Sequence, residues 1–297
     1  MPFSTLRTRG RARRLSTSLA VAVLPLLLGI PLMYWQAATL LEGRAAKSAA
    51  DARKQLDAML DDATRAASVV LPLAGQPCEN VAQTLRSQVA ISPFSRSVNL
   101  VVDGLIYCTS LMGAYGQNED TASYVNGQLR LMAGNLVTPD RAVLVYRQAE
   151  GNHGVLIGID GQHLMNLLRI NGQEVSLQIA VGQSWLSADG RVSNAPANGK
   201  REYAIEVSSS RYPFQVSGGY SPGATVQYMQ DHYQPQWLLF LILGALAGAG
   251  SYRLSLRATS PGTALKRALE ADEFIPHYQP VAVSYTHLRA HETRGNL

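Results

Sequence analysis

The sequence lacks the motifs that mark several common classes of soluble enzyme. It contains no Walker-type phosphate loop, no G-x-G-x-x-G element and no Ser-His-Asp grouping in a supporting context. These absences argue against a P-loop nucleotidase, a dinucleotide-binding enzyme and a triad hydrolase. Cysteine is also scarce, with two in 297 residues. Two cysteines alone do not make a closed structural zinc site, which takes four ligands.

Acidic residues are absent from the start of the chain, where five arginines occur. The formal net charge of +5 comes from this arm, because the rest of the chain holds 21 basic and 21 acidic residues. A basic arm can bind nucleic acid, but one beside an apolar run usually sets membrane orientation. We therefore expect residues 1–14 to be a cytoplasmic arm, with no nucleic-acid polymer as partner. The arginines are Arg7, Arg9, Arg11, Arg13 and Arg14.

Charge is absent again from residues 15–35, a run of 21 residues. A helix of this length covers about 30 Å, the hydrocarbon thickness of a bilayer. Pro25 and Pro31 do not forbid it, because proline is tolerated in membrane helices. The run predicts a first transmembrane helix. The competing interpretation is a cleaved signal peptide, with the small residues Ala37 and Ala38 at the cleavage site.

A second uncharged run covers residues 237–252, which is 16 residues, and Arg253 and Arg257 follow it. Tilt or local thinning of the bilayer accommodates so short a helix. Positive flanks before the first run and after the second place both termini in the cytoplasm. The sequence therefore predicts a multi-pass protein of the bacterial inner membrane, with residues 36–236 in the periplasm and the lipid bilayer as a partner.

Gly244 and Gly248 form a G-x-x-x-G step in the second run. Small residues at this spacing let two membrane helices approach closely, so we expect a homodimer that uses this face. The alternative is that the glycines reflect only the high frequency of glycine in membrane helices.

The segment 36–236 combines helical and strand patterns, which we interpret as an α+β domain with a mostly antiparallel sheet. Apolar residues repeat at three- and four-residue steps over 37–70, which predicts a long helix, and a shorter one is predicted over 79–90. Alternating apolar residues and the turn signal Asp103-Gly104 predict a hairpin with a return strand at 105–110. Further strands are predicted at 141–148, 155–160, 175–181, 202–207 and 213–219, and a short helix at 162–170.

Both cysteines, Cys78 and Cys108, lie in this segment. On the oxidising side of a bacterial membrane, two thiols of one domain usually pair. The bond would tie the start of the second helix to the return strand of the hairpin. The sequence fits both a permanent structural disulfide and a switchable one, since only strained or exposed disulfides are easily reduced.

The residues around the second cysteine resemble a known sensor family. Cys108-Thr109-Ser110 follows VVDGLIY and is similar to the Cys-Ser-Ser signature of the CSS-motif sensor domain, with threonine in the middle position. The resemblance covers roughly residues 15 to 252. It implies a periplasmic domain between two membrane helices, with Cys78 as the upstream cysteine.

Residues 264–281, ALKRALEADEFIPHYQPV, resemble the opening helix and first strand of an EAL domain, an α/β barrel. This resemblance implies a phosphodiesterase that hydrolyses cyclic di-GMP to linear pGpG, with Mg²⁺ or Mn²⁺ bound by the complete domain. It also implies that Gln279 lines the nucleotide pocket. In this family pair, Cys78 and Cys108 would form a redox pair acted on by periplasmic thiol-oxidising and thiol-reducing systems.

The EAL match stops after Val281, and we expect residues 282–297 to be an artefactual tail and the barrel to be incomplete. The linker and first EAL elements are then 253–281. No catalytic carboxylates are expected in this chain, and no metal site. His287 and His291 have helical spacing, but a zincin motif needs glutamate where Leu288 stands.

Two other functions fit parts of the pattern. A completed EAL domain without its metal ligands would be a cyclic-di-GMP receptor rather than an enzyme. A chemoreceptor or histidine-kinase sensor has a similar topology, but such proteins usually continue into a long signalling helix. Here Pro261-Gly262 interrupts that region early.

Overall fold

The computed structural model describes residues 3–196, 199–257 and 261–271. They form two units: Ile30–Gln236, and the described residues up to Gly29 together with those from Trp237 onward. The first unit contains two β-sheets and the second is helical. Helix α1 (Phe3–Val70) contributes residues to both.

The helical unit contains two apolar helices. Its elements are the first part of α1, most of the helix Gln234–Arg257, and a short amphipathic helix at Pro261–Glu270. Pro25 and Pro31 do not interrupt α1, in keeping with the tolerance of proline in membrane helices. Both long helices contain a segment apolar enough to cross a membrane, as the two uncharged runs predict.

The larger unit contains a six-stranded antiparallel sheet with the order β3-β2-β1-β6-β5-β4. Its strands are β1 (Ser95–Val102), β2 (Leu105–Thr109), β3 (Gly113–Asn118), β4 (Leu129–Met132), β5 (Val143–Glu150) and β6 (His153–Asp160). A 3₁₀ turn at Thr121–Ser123 lies between β3 and β4.

A second antiparallel sheet of five strands has the order β10-β11-β7-β8-β9. Its strands are β7 (Ser176–Val181), β8 (Ser184–Ser187), β9 (Val192–Ser193), β10 (Glu202–Ser208) and β11 (Gln215–Tyr220). The helices of the larger unit are α2 (Cys78–Ile91), α3 (Gly161–Asn171) and α4 (Ala224–His232); the helical unit adds α5 (Gln234–Arg257) and α6 (Pro261–Glu270).

The core forms where α1 crosses the sheets. Residues on one stripe of α1 recur at three- and four-residue steps and join the same apolar cluster as the inward side chains of both sheets. Burying this stripe, rather than helix propensity, is what stabilises so long a helix beside a sheet. The fully or nearly fully buried members of the stripe are Leu41, Ala45, Ala49, Ala52, Leu56, Leu60, Ala63, Ala67 and Val70.

Polar contacts also hold the turn after β10 against α1. Ser209 Oγ donates to Asp57 Oδ1 at 2.6 Å, and the Arg211 guanidinium donates to Asp61 at 2.6 Å. Tyr212 Oη donates to the Asp61 carboxylate at 2.8 Å. Burial disfavours the charge on Asp61, but the hydrogen bonds from Tyr212 and Arg211 outweigh it and lower the pKa of this carboxyl group.

The predicted helices 37–70, 79–90 and 162–170 are confirmed, and so is the hairpin at Asp103-Gly104. The prediction of a single sheet was wrong, because the strands divide into two. Four strands, β3, β4, β8 and β9, were not predicted. They have two to six residues, and the longest, GAYGQN, is rich in glycine and polar residues. The predicted first strand of an EAL barrel lies outside the described residues.

Candidate functional site: the disulfide and its surroundings

A disulfide joins Cys78 to Cys108, with 5.3 Å between their Cα atoms. Cys78 is the first residue of α2, and Cys108 is the fourth of the five residues of β2. The Cys108 side chain is fully buried in the core, whereas Cys78 is only partly buried. Cys78 is therefore the more accessible end of the bond.

A bulge in β2 lets the successive side chains of Tyr107 and Cys108 both contact the segment 75–78. Leu100 pairs with Cys108 and Val101 pairs with Ile106, so Tyr107 is an extra residue in the ladder. Regular alternation would send adjacent side chains to opposite faces of the sheet, but a bulge changes this. Tyr107 Oη accepts a hydrogen bond from Gly75 N–H at 2.9 Å, three residues before Cys78.

The segment between α1 and α2 is thus attached to β2 at two points. It consists of a 3₁₀ turn at Leu71–Leu73 and an irregular stretch up to Pro77. Gly75 has a φ of +92°, and a Cβ there would lie 2.9 Å from His153 Nε2, so a side chain at this position would be strained. Burial raises the pKa of Tyr107, although the hydrogen bond from Gly75 opposes the shift. The hydroxyl therefore stays neutral at physiological pH.

The two hydroxyl residues after Cys108 shape the backbone. Ser110 Oγ accepts from Val98 N–H at 3.0 Å, and Ser110 N–H donates to the Val98 carbonyl at 2.8 Å. Thr109 Oγ1 accepts from Met112 N–H at 2.9 Å and forms the turn that ends β2. Both hydroxyl residues are buried, so they satisfy backbone groups that would otherwise be unpaired inside the protein.

Helix α2 packs on the core through a small apolar face. Its buried side chains are Val81 and Leu85, and Pro77 at its N-cap supplies no side-chain cap. Arg86 Nε donates to the Ser110 carbonyl at 3.2 Å and so links the helix to the end of the CSS-like motif. Sequence reasoning missed Arg86, because nothing in its spacing marks a partner so far along the chain. The disulfide therefore adds a covalent link to a helix that packs on the core through Val81, Leu85 and the partly buried Ala82 and Val89.

The predicted dimerisation residues contact α1 within the same chain. A Cβ on Gly248 would lie 2.8 Å from Ala22 Cβ and 3.2 Å from the Ser18 carbonyl, and one on Gly244 would contact the Ala22 carbonyl. The G-x-x-x-G step thus lets α5 approach α1 closely. Pairing of two chains through this face stays a prediction.

The remaining predicted positions are not in the described part of the chain. Gln279, His287 and His291 all lie beyond residue 271, as does the tail 282–297. Among the residues that the structure describes, no group of three or more His, Cys, Asp or Glu side chains is placed to hold a metal ion.

Comparison with known protein families shows which family the two-sheet unit belongs to. The family described as "CSS motif domain associated with EAL" matches residues 41–233, which include both cysteines and every strand of the two sheets. The chain belongs to the CSS-motif family. Its sensor domain is the α+β unit, which two long apolar helices flank.

Two relatives in Escherichia coli strain K12 are similar to most of this CSS-motif chain. The probable cyclic di-GMP phosphodiesterase PdeG is 25% identical over 232 residues, covering 77% of this chain and 45% of PdeG. The probable cyclic di-GMP phosphodiesterase PdeD is 32% identical over 230 residues, covering 71% of this chain and 42% of PdeD. The chain therefore spans less than half the length of these relatives.

Among solved structures, the CSS-motif chain is similar to the ligand-binding domain of the Campylobacter jejuni chemoreceptor Tlp3. The identity is 12% and the TM-score 0.41, with 65% of this chain and 94% of that one covered.

Proposed function

We propose that this chain is the membrane-bound sensory portion of a cyclic-di-GMP phosphodiesterase whose activity responds to the redox state of Cys78 and Cys108. The complete protein would hydrolyse cyclic di-GMP to linear pGpG. Membership of a family associated with EAL domains and homology to two probable cyclic di-GMP phosphodiesterases support this. The observation that carries the regulatory part is the disulfide, since it joins α2 covalently to β2, and the rest of the apolar face of α2 is small: Val81 and Leu85 are buried, and Ala82 and Val89 are partly buried.

Reduction would act first on α2. Without the covalent link, the helix keeps the buried Val81 and Leu85, the partly buried Ala82 and Val89, and the hydrogen bond from Arg86 to Ser110. A helix of 14 residues is marginally stable by itself and depends on its packing against the sheet. We infer that reduction shifts α2 from a docked to an undocked state, which is the two-state element that a switch needs.

The docked state of α2 also constrains the end of α1. The segment from Leu71 to Pro77 joins these helices, and Gly75 within it donates a hydrogen bond to Tyr107. α1 is one continuous helix from Phe3 to Val70. Release of its C-terminal connection would therefore act on the helix that contains the first candidate membrane span.

The proposed setting is the bacterial inner membrane, with both termini cytoplasmic and residues 36–236 periplasmic. The positive flanks of the two apolar helices support this topology, and a disulfide is stable on the oxidising side. The partners are periplasmic thiol-oxidising and thiol-reducing systems and, in the complete protein, cyclic di-GMP with Mg²⁺ or Mn²⁺. A homodimer is part of the proposal.

The test compares the wild-type protein, expressed from its intact gene, with the C78S/C108S variant. Membranes containing each are assayed for conversion of cyclic di-GMP to pGpG, with and without dithiothreitol. We expect the variant to be faster by at least roughly fivefold, the low end of a typical coupling between two sites. Dithiothreitol should activate the wild type to the same level and leave the variant unchanged, which is the internal control.

Each part of the proposal has its own contrary result. Equal rates for oxidised wild type and the C78S/C108S variant would remove the redox switch and leave the enzyme. Binding of cyclic di-GMP without any hydrolysis would show that the complete protein is a receptor and not an enzyme. The redox switch would then be tested by comparing cyclic di-GMP binding of the wild type and the C78S/C108S variant.

A further inference from the structure

A cavity of about 310 Å³ lies on the face of the six-stranded sheet opposite α1. Its floor consists of outward side chains of four strands, including Asn99, Ile106, Val145 and Leu156. Inward neighbours such as Ile157 belong to the core beneath α1, as expected from the alternation of side chains along strands. The volume is at the low end for small-molecule sites, so an occupant would be a small metabolite and not a peptide.

Loops close the cavity around a partly apolar mouth. The turns after β2, β3 and β4 supply its rim. Leu111, Met112 and Leu136 lie on this rim with about half or more of their surface exposed, and Leu136 is 80% exposed. Apolar side chains left open beside a concave site can cover an apolar group that enters it.

One wall of the cavity carries a buried carboxylate that the protein satisfies only in part. The Glu119 side chain is 2% exposed, and its Oε1 accepts from Arg147 Nε at 2.7 Å. Its Oε2 is shielded from solvent and has no hydrogen-bond partner among the described residues. Asp120 follows it and also lines the cavity. An unpaired buried acceptor of this kind is costly, and a cationic donor in the cavity would offset that cost.

The same wall carries an uncommitted positive charge. Arg130 on β4 lines the cavity, and the described residues provide it with no hydrogen-bond or ion-pair partner. Tyr124 lies among these charges. Burial raises its pKa to about 12, with Glu119 and Asp120 adding to the shift and Arg130 and Arg147 opposing it. The acidic and basic groups therefore all lie close enough to act on this one neutral phenol.

We propose that this cavity binds a free α-amino acid with an apolar side chain. The ammonium group pairs with the carboxylates of Glu119 and Asp120, the carboxylate pairs with Arg130, and the side chain lies over Ile106 and Leu156. Such a ligand has no net charge but carries both charged groups on one carbon, which matches opposite charges on one wall above an apolar floor. This input is separate from the disulfide and does not depend on the phosphodiesterase.

The test is isothermal titration calorimetry on the whole chain, oxidised and solubilised in detergent. The probes are L-valine, L-leucine and L-methionine, each titrated separately. Isopentylamine, which lacks the carboxylate of leucine, and 4-methylpentanoate, which lacks its ammonium group, are titrated in parallel. We expect saturable binding of at least one amino acid and at least roughly tenfold weaker binding of each analogue, since a hydrogen bond to a charged group is worth this much.

Charge-removing variants assign the two ends of the ligand. Arg130→Gln should weaken L-leucine binding by about tenfold or more and leave isopentylamine unaffected. Glu119→Gln should weaken isopentylamine and leave 4-methylpentanoate unaffected. The matched control is Glu206→Gln, an exposed residue of β10 outside the cavity, which should change nothing. Because Glu119→Gln breaks a buried ion pair and can unfold the domain, the Arg130→Gln result decides by itself.

Any of three results would overturn the proposal. One is the absence of a saturable heat for all three amino acids at millimolar concentration in a chain that melts cooperatively. Another is equal binding of L-leucine by Arg130→Gln and Glu206→Gln. The third is binding of isopentylamine as tight as that of L-leucine.

Discussion

At the scale of single residues, this protein uses buried polar side chains to satisfy backbone groups where its elements meet. Ser110 and Thr109 do this at the end of β2, and Glu202 does it at the start of α4. The N-cap of α4 is Gly223, which has no side chain to cap the helix. Glu202, a residue of β10, caps the helix instead. Its carboxylate accepts hydrogen bonds from Gly223 N–H at 2.7 Å and from Thr225 Oγ1 at 3.2 Å.

Glu202 makes the stability of the domain sensitive to acid. The hydrogen bond from Gly223 N–H, helped by Thr225 and opposed by burial, lowers the pKa of its carboxyl group below 4.5. A carboxylate with a lowered pKa stabilises the fold above its unfolded value, and this stabilisation is lost as the pH falls through the folded value. We expect the melting temperature of Glu202→Gln to fall less steeply than that of wild type between roughly pH 5 and 3.

Circular dichroism of the solubilised chain across this pH range measures the effect. Glu206→Gln is the matched control, since Glu206 lies four residues away on the same strand and is exposed; it should follow the wild-type curve. Parallel curves for Glu202→Gln and wild type would mean that the capping carboxylate contributes nothing to stability.

At the scale of elements, α2 is the helix whose packing depends most on one covalent bond. Leu85 is fully buried and is one of its two buried side chains. Replacing a buried leucine with alanine typically costs about 2–5 kcal/mol. The disulfide holds α2 in place despite such a loss, so the effect on docking should appear mainly in the reduced protein.

We expect Leu85→Ala to increase amide hydrogen exchange in α2 far more in the reduced chain than in the oxidised chain. Hydrogen exchange followed by mass spectrometry of peptides from 78–91 measures this. Leu168→Ala is the control, because Leu168 is equally buried but lies in α3. Its effect on peptides 78–91 should not depend on the redox state. Equal redox dependence in both variants would argue against α2 as the switching element.

Elements with strong periodicity could be predicted from the sequence, and weak ones could not. α1 and α2 carry apolar stripes that only a helix can bury on one side, and β1 with β2 alternates around a turn signal. β9 has two residues and β3 contains two glycines, so neither carries a readable pattern. Their positions depend on ladder pairing with neighbours, which is non-local information.

The candidate site divides in the same way. Cys78 and Cys108 could be found because cysteine is rare and its chemistry is specific. The cavity could not be predicted, since its floor comes from strands between residues 97 and 158 that become neighbours only through the order of the sheet. Glu119 and Arg130 look like ordinary solvated charges until the fold places them on one wall.

At the scale of the whole molecule, the two candidate membrane helices pack through glycine. Gly248 in α5 faces Ala22 and Ser18 of α1 at distances that leave no room for a side chain. The sequence predicted this step as a contact between chains, because a glycine spacing does not say which helix it faces. Close contact within one chain is what the structure adds.

Gly248→Leu should separate these helices and lower the melting temperature of the solubilised chain, with a cost of roughly 1–3 kcal/mol for overpacking. Gly250→Leu is the matched control, because a Cβ on Gly250 meets no atom within 4 Å. Thermal unfolding measures stability, and chemical cross-linking in membranes measures whether the dimer fraction changes as well. Similar melting temperatures for the two variants would contradict close packing of α5 on α1.

Strand β2 connects the disulfide to the cavity. Cys108 and Thr109 are adjacent, yet the first is bonded to α2 while the second lines the cavity. Adjacent residues of β2 therefore contact the disulfide and the proposed amino-acid site. Thermodynamic reciprocity then requires that whatever a bound metabolite does to the stability of the bond, oxidation does equally to retention of the metabolite. Such a strand would combine two signals, the redox state of the disulfide and the occupancy of the cavity, within the sensor domain.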